Sequence, residues 1–409
     1  MDDAQRLLDK VREFGPRMIE DMRRLTAIPA LGPTNGGQGE AAKAEVVAGW
    51  LEELGLEVQR VDAPDPRVES GWRPNLVARL PGGEGPTRWV LSHLDVVPTG
   101  SLEQWTSDPW ELRVEGDRLY GRGTLDDHSG LLSSLYGLKA LMELGLEPPG
   151  PAGLVIVSDE ETGSDFGLNY LLEHRPELFS PQDLIVVPDG GEPDGSAIVV
   201  AEKSILWLKV EVTGRQVHGS TPDQGVNALY AAARMMVATR RMQERFPALD
   251  PLFSPPPSTF EPTRKEAGVE NINTIPGRDV FYIDCRVLPQ IPLEEVEAAF
   301  QERFQAIAAE EGARVEITPV QRLQAPTPTP ADAPVVRTLG RAIQRVRGIQ
   351  ARARGMGGGT VAAHFRQKGL PAVVWSTWLD TPHMPDEYCN FSDLVKDAQV
   401  FALFFAGLP

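Results

Sequence analysis

A set of short, almost unbroken apolar runs, WVLSHLDVV, GLVIVSD and DLIVVPD, constrains the fold more than any other feature of the chain. Runs of this length, rich in Val, Ile and Leu, read as strands buried in a sheet. Between and around them lie stretches with helical periodicity, at about 40 to 54 and 129 to 144. Strands alternating with helices predict an α/β architecture, a sheet covered by helices. Each run also carries a His or a carboxylate at its end, where α/β folds build their sites.

The pattern changes near residue 204. SILWLKVEVTG alternates like a half-exposed strand, NALYAAARMMVATRRMQERF reads as one long helix, and two strands near 269 to 287 precede another helix and the strand ARVEITPV. Strand, helix, strand, strand, helix, strand is a self-contained ferredoxin-like α+β unit. It reads as an insertion: residues 1–203 and 321–409 form a catalytic domain with a mixed sheet flanked by helices, and residues 204–320 form the inserted domain. The proline-rich LQAPTPTPADAP is the hinge or linker that leads back.

Composition narrows function by exclusion. Lys and Arg number 40 against 58 Asp and Glu, a net charge of −18 that repels nucleic-acid phosphates and anionic membrane surfaces, so neither partner is expected. Most of that excess serves solubility. The opening MDDAQRLLDKVREF lacks the apolar stretch and cleavage site of a secretion signal, and no run reaches the roughly 18 apolar residues that span a bilayer. A soluble cytoplasmic protein is the expectation. Two cysteines, Cys285 and Cys389, are too few for a thiolate cage, so any metal must be held by His and carboxylates.

Six histidines occur: His93, His128, His174, His218, His364 and His383. His93 lies at a strand end, and Asp95, two residues on, points to the same side and can accept the free N–H of a metal-bound imidazole. In GRGTLDDHSG, a glycine-punctuated turn opening a helix, adjacent Asp126 and Asp127 repel unless a cation offsets them, and one of them can bridge two metals. The plainer reading of that pair is a helix cap with an acidic first turn. SDEETGSDFG follows a strand with Asp159, Glu160 and Glu161 in succession; one carboxylate can ligate while its neighbour stays free as a base. Asp189 ends LIVVPD and His383 lies in the late loop TPHMPDE, and this N/O donor set suits zinc, manganese or cobalt. His174, in LLEHRPEL, reads as a surface or capping His.

SHLDVVP, GRGTLDDHSG, SDEETGS and the spacing of His383 and Glu387 resemble, over nearly the whole chain, the dinuclear zinc amidohydrolase family that holds acetylornithine deacetylase, succinyl-diaminopimelate desuccinylase, aminoacylase, glutamate carboxypeptidase and several dipeptidases. The resemblance implies two Zn²⁺ per subunit, with Co²⁺ or Mn²⁺ as substitutes. His93 and Asp189 would hold one ion, Glu161 and His383 the other, and Asp126 would bridge them. Glu160 would be the general base and Asp95 would orient His93. It also implies that residues 204–320 are a lid and homodimerisation domain, that His218 in VHGSTPDQG completes the site from a partner subunit, and that Asn271, Arg286, Gly358, Gly359 and Thr360 meet a small amino-acid-derived substrate. Asp at position 189 leans the family pattern towards dipeptidases and aminopeptidases rather than deacylases of N-acyl amino acids. The chain departs from the pattern at His128, where Lys is frequent, and at Ala362, where Asp is common, with His364 close by.

Overall fold

A computed structural model describes residues 2–409. The chain divides into two compact units, Met1–Val200 with Thr329–Ala353 and Thr360–Pro409, and Ala201–Pro328 with Arg354–Gly359. In chain order the first unit sets out α1 (Asp3–Glu13), α2 (Gly15–Thr26), α3 (Ala41–Glu53), β1 (Val58–Arg60), β2 (Leu76–Leu80), β3 (Arg88–His93), α4 (His128–Glu143), β4 (Ala152–Val157), α5 (Leu168–His174), β5 (Leu184–Glu192) and β6 (Ala197–Glu202). Next come β7 (Ser204–Thr213), α6 (Ala228–Thr239), β8 (Thr259–Lys265), β9 (Arg278–Val287), α7 (Leu293–Glu311) and β10 (Arg314–Leu323). The chain closes with α8 (Pro334–Arg347), β11 (Arg352–Met356), α9 (Ala362–Gln367), β12 (Ala372–Thr377) and α10 (Phe391–Ala406).

The large sheet has the order β1-β2-β4-β3-β5-β12-β6-β11. Its central neighbours β4, β3, β5 and β12 are parallel, whereas β1 with β2, β2 with β4, and β12 with β6 are antiparallel. Every residue of β3, β4 and β12 is buried, which is why these strands are continuous apolar runs instead of alternating ones. Helix packing covers the sheet: Trp375 of β12 meets Phe401 of α10 edge-on at 5.6 Å. A Cβ at Gly137 of α4 would stand 2.9 Å from the Ala402 nitrogen, so only glycine lets α4 and α10 approach this closely.

The second unit has the antiparallel order β8-β9-β7-β10. Along β7 the buried Leu206, Leu208, Val210 and Val212 alternate with Trp207, Lys209 and Glu211, so one face is packed and the other is open. Residues 354–359, which the sequence reading leaves with the catalytic domain, group with this unit for local reasons. The Lys203 amide donates to the Met356 carbonyl at 3.0 Å and the Gly355 amide to Leu252 at 2.7 Å. The Phe253 ring occupies the space where a Cβ on residue 355 would stand, at 2.3 Å.

Candidate metal centre and active site

The four parallel strands carry the chemistry at their carboxyl ends. His93 is the last residue of β3, and β4 is followed by a single 3₁₀ turn, Glu160–Thr162. Asp189 sits where β5 and β12 slip in register: Val187 pairs with Val374 and Gly191 with Ser376, so residues 188–190 bulge opposite Trp375. A bulge re-aims a side chain and tolerates Pro188. His383 lies in the loop after β12 with φ of 64°, a left-handed conformation that His adopts more readily than most residues. Asp126 lies in the turn that opens α4, two residues before the helix begins.

These residues meet as two groups, His93, Asp126 and Asp189, and Asp126, Glu161 and His383, in each of which one potential ligand atom per residue lies within 4.8 Å of the others. Asp126 belongs to both. Its Oδ1 lies 2.9 Å from His93 Nε2 and its Oδ2 3.2 Å from His383 Nε2, while Glu161 Oε2 is also 3.2 Å from His383 Nε2.

The electrostatics describe a site short of positive charge. Burial pushes Glu160 up to about 8, with His93 opposing and Glu161, Asp126 and Asp95 adding to the push. Asp189 is raised well above the carboxylate range by burial, then by Asp126 and Glu160. Burial disfavours a charged His93, yet hydrogen bonds to Asp126 and Asp95 hold it well above the usual imidazole value. Hydrogen bonds to Asp126 and Glu161 carry His383 up to about 10. Glu161 Oε1 is buried and has no hydrogen-bond partner. Crowded carboxylates, two imidazoles and a spare carboxylate oxygen form a donor set that fits divalent cations such as zinc, cobalt or manganese.

Two acidic residues behind the ligands organise the loops. Asp95 accepts the backbone N–H groups of Glu160 and Glu161, both at 3.1 Å, and so anchors the turn that carries them. Because its carboxylate is engaged there, the His93 ring makes its close contact with the Asp95 carbonyl oxygen, 3.0 Å from Nδ1, and the carboxylate stands off at 3.5 Å. Glu387 accepts the amides of Gly123, Leu125 and Asp126 at 3.0 to 3.2 Å and pairs with the buried Arg122. In the sequence, Glu387 stands out only by its spacing from His383. A charged residue with no ligand role in a loop near the ligands was the signal available for its anchoring part.

The remaining predicted residues lie outside these groups. His218, Asn271, Arg286, Gly358 and Gly359 belong to the second unit and Thr360 to the first. His218 is exposed, and its Nδ1 accepts the Ser220 amide at 3.2 Å, so in the neutral ring Nε2 carries the proton. Asn271 is exposed as well. Arg286 spends its fork on Asp284, at 2.7 and 3.0 Å, and its third nitrogen on the Gly357 carbonyl at 3.1 Å. Added Cβ atoms at Gly357 and Gly358 would meet open space. Ala362 is fully buried and His364 half-buried, with burial lowering the latter's basicity. His174 closes α5, its Nδ1 3.0 Å from the Tyr170 carbonyl and its ring stacked on that tyrosine.

Residues 89–406 match peptidase family M20/M25/M40, and the chain belongs to that family. Among its relatives, an uncharacterised metallohydrolase of Methanococcus maripaludis is 37% identical over 404 residues, covering 94% of this chain and 97% of that protein. An acetylornithine deacetylase of Edwardsiella ictaluri is 29% identical over 392 residues, covering 93% and 94%. The solved structure of an aminopeptidase from Bacillus cereus shares the fold, with a TM-score of 0.75, 22% identity and coverage of 96% and 98%. The family is one of metal-dependent hydrolases with peptidase and deacylase members, and this chain is a hydrolase of that kind.

Proposed function

We propose that this protein hydrolyses the amide or peptide bond of a small amino-acid-derived substrate, as a dipeptidase or aminopeptidase working with two zinc ions per subunit. The observation that carries the reading is Asp126, whose two oxygens face the two histidines of two donor groups. In this reading His93, Asp126 and Asp189 hold one ion and Asp126, Glu161 and His383 the other, with Co²⁺ or Mn²⁺ able to replace zinc. Bound ions would polarise the scissile carbonyl and acidify a water.

The chain's own residues complete the chemistry. Glu160, held by its backbone but free at its carboxylate, takes the proton of the attacking water and returns it to the leaving nitrogen as the C–N bond breaks. Nearby cations would bring its pKa down into the range of an active base. His218, with its proton on Nε2, is the donor assigned to the carbonyl oxygen as that atom gains charge. Asn271, Arg286, Gly358, Gly359 and Thr360 are assigned to substrate binding, Arg286 through the Gly357 carbonyl it holds.

We place the protein in the cytoplasm, as a homodimer through the second unit. The exposed Leu229, Tyr230, Val237 and Ile272 on that unit support self-association. Among the described residues no helix is long and apolar enough to cross a membrane. The acetylornithine deacetylase relative favours a second reading, removal of an acyl group from an N-acyl amino acid. Zinc-loaded protein assayed against panels of dipeptides, N-acetyl and N-succinyl amino acids separates the two. Cleavage of dipeptides alone is expected, cleavage of acyl amino acids alone selects the second reading, and cleavage of neither removes both.

A further inference from the structure

Four charged side chains beneath the site have no part in the chemistry above, yet all are fully or almost fully buried: Glu40, Lys43, Arg73 and Asp159. Burying charge is costly unless the groups are paired, so their arrangement calls for a reason. Two of them, Glu40 and Lys43, sit at the start of α3, and they reach in different directions.

Glu40 grips the Arg73 guanidinium with both oxygens. Arg73 in turn stands 3.4 Å from Asp159 Oδ1. Asp159 immediately precedes the Glu160–Thr162 turn and fastens it, accepting the Thr162 hydroxyl and, at 3.1 Å, the Phe166 amide. Its φ of 63° sets the bend from which the turn leaves β4. One arm from α3 therefore ends on the turn that carries Glu160 and Glu161.

The other arm ends on the turn that carries Asp126. Lys43 Nζ lies 2.7 Å from His128 Nε2, both groups buried, and His128 is the first residue of α4. The His128 amide donates to the Gly123 carbonyl at 2.9 Å, closing that turn. The imidazole also fills the space over Gly123, where a Cβ would meet its Cε1 at 2.6 Å and where φ is 86°. Among the described residues, Lys43 makes no salt bridge with a carboxylate.

We propose that the first turn of α3 positions both metal-bearing turns at once, Glu40 through Arg73 and Asp159, and Lys43 through His128. Neither residue touches the ligand atoms; each acts through another side chain. The inference rests on the two-ion reading, and it goes beyond simple structural support: the Glu40 arm acts on one ion and the Lys43 arm on both. Glu161 belongs to one donor group only, whereas Asp126 belongs to both.

The test is a metal titration of the chelator-treated protein, with no substrate present, followed by the visible absorption of Co²⁺. Glu40→Gln keeps the side chain's size and should weaken one of the two ions by the 10- to 100-fold typical of outer-shell changes, leaving the other at its wild-type affinity. Lys43→Met should weaken both. Melting of the metal-free variants, recorded in parallel, separates lost positioning from lost fold. Wild-type affinities in both variants would overturn the proposal, as would an equal loss of both ions in Glu40→Gln. If Lys43→Met does not fold, the selectivity of Glu40→Gln decides alone. Failure of the wild-type protein to bind two ions would instead remove the functional reading on which the proposal stands.

Discussion

Glu160 and Glu161 are neighbours on one turn with separate fates. Glu161 Oε2 lies 3.2 Å from His383 Nε2, whereas Glu160 is fixed through its amide, which donates to Asp95 at 3.1 Å. Glu160→Gln should therefore keep its two metal ions while turnover falls by about 10² to 10⁴, the usual contribution of a general base. Metal content by emission spectroscopy beside steady-state kinetics checks this, and loss of metal in the variant would place Glu160 among the ligands instead. Asp126→Ala should lose metal and rate together. A variant with full metal content would contradict the bridging role.

The same residues give the metal-free protein a pH dependence of definite sign. His383 rises from 6.5 to about 10 in the fold, so its stabilisation is complete below pH 6.5 and is lost as pH climbs to about 10. Glu160 rises from 4.5 to about 8, so the fold prefers its neutral form and loses stability as pH climbs through that interval. Both effects point the same way, and together they outweigh Lys43, which burial lowers from 10.5 to about 7 and which gains stability as pH climbs through that interval. The melting temperature of chelator-treated protein should fall between pH 6.5 and 9, and a rise over that range would refute the assignment. Saturating metal should flatten the trend, because a ligand that binds only the folded protein replaces the protons.

At the scale of elements, the Glu387 carboxylate gathers three backbone amides of the loop before α4. Glu387→Ala would free three backbone amides and leave Arg122 buried without its counter-ion, a loss on the order of 3–5 kcal/mol for a broken buried pair. Urea unfolding of the variant measures it, and an unchanged midpoint would mean that the loop is held by other contacts. The strands were legible in the sequence because β3, β4 and β12 are buried on both faces and must be apolar throughout. His93, Asp126 and Glu161 were legible in dense local motifs, whereas Asp189 and His383 came chiefly from the family pattern. Glu40, Lys43 and Arg73 were not legible. Glu40 meets a partner 33 residues away and Lys43 one 85 residues away, and in a helix with charges on both sides they read as solvated residues. The bulge that aims Asp189 was equally invisible, since register slips arise from pairing and not from local preference.

For the whole molecule, the proposed homodimer has a kinetic consequence. If His218 serves a partner's site, inactive His218→Ala and inactive Glu160→Gln proteins should regain activity on mixing, because a mixed dimer then contains one intact pairing. Complete inactivity of the mixture, with subunit exchange demonstrated by a tag, would confine each site to its own chain. The second unit's sheet was readable from the alternation along β7, but its last piece was not. Nothing in GMGGG announces that it is held by Phe253, Lys203 and Arg286 from a distant stretch of sequence.

That last piece bears on how chains of this kind can be cut and recombined. The inserted unit is not a detachable cassette, because Arg354–Gly359 belongs to it although Thr329–Ala353 intervenes. Residues 201–328 produced alone would leave the Phe253 ring bare and the Leu252 carbonyl without its donor. A chimera that exchanges the insertion between two such hydrolases has to carry the glycine segment with it, or join a foreign turn to a surface shaped for another.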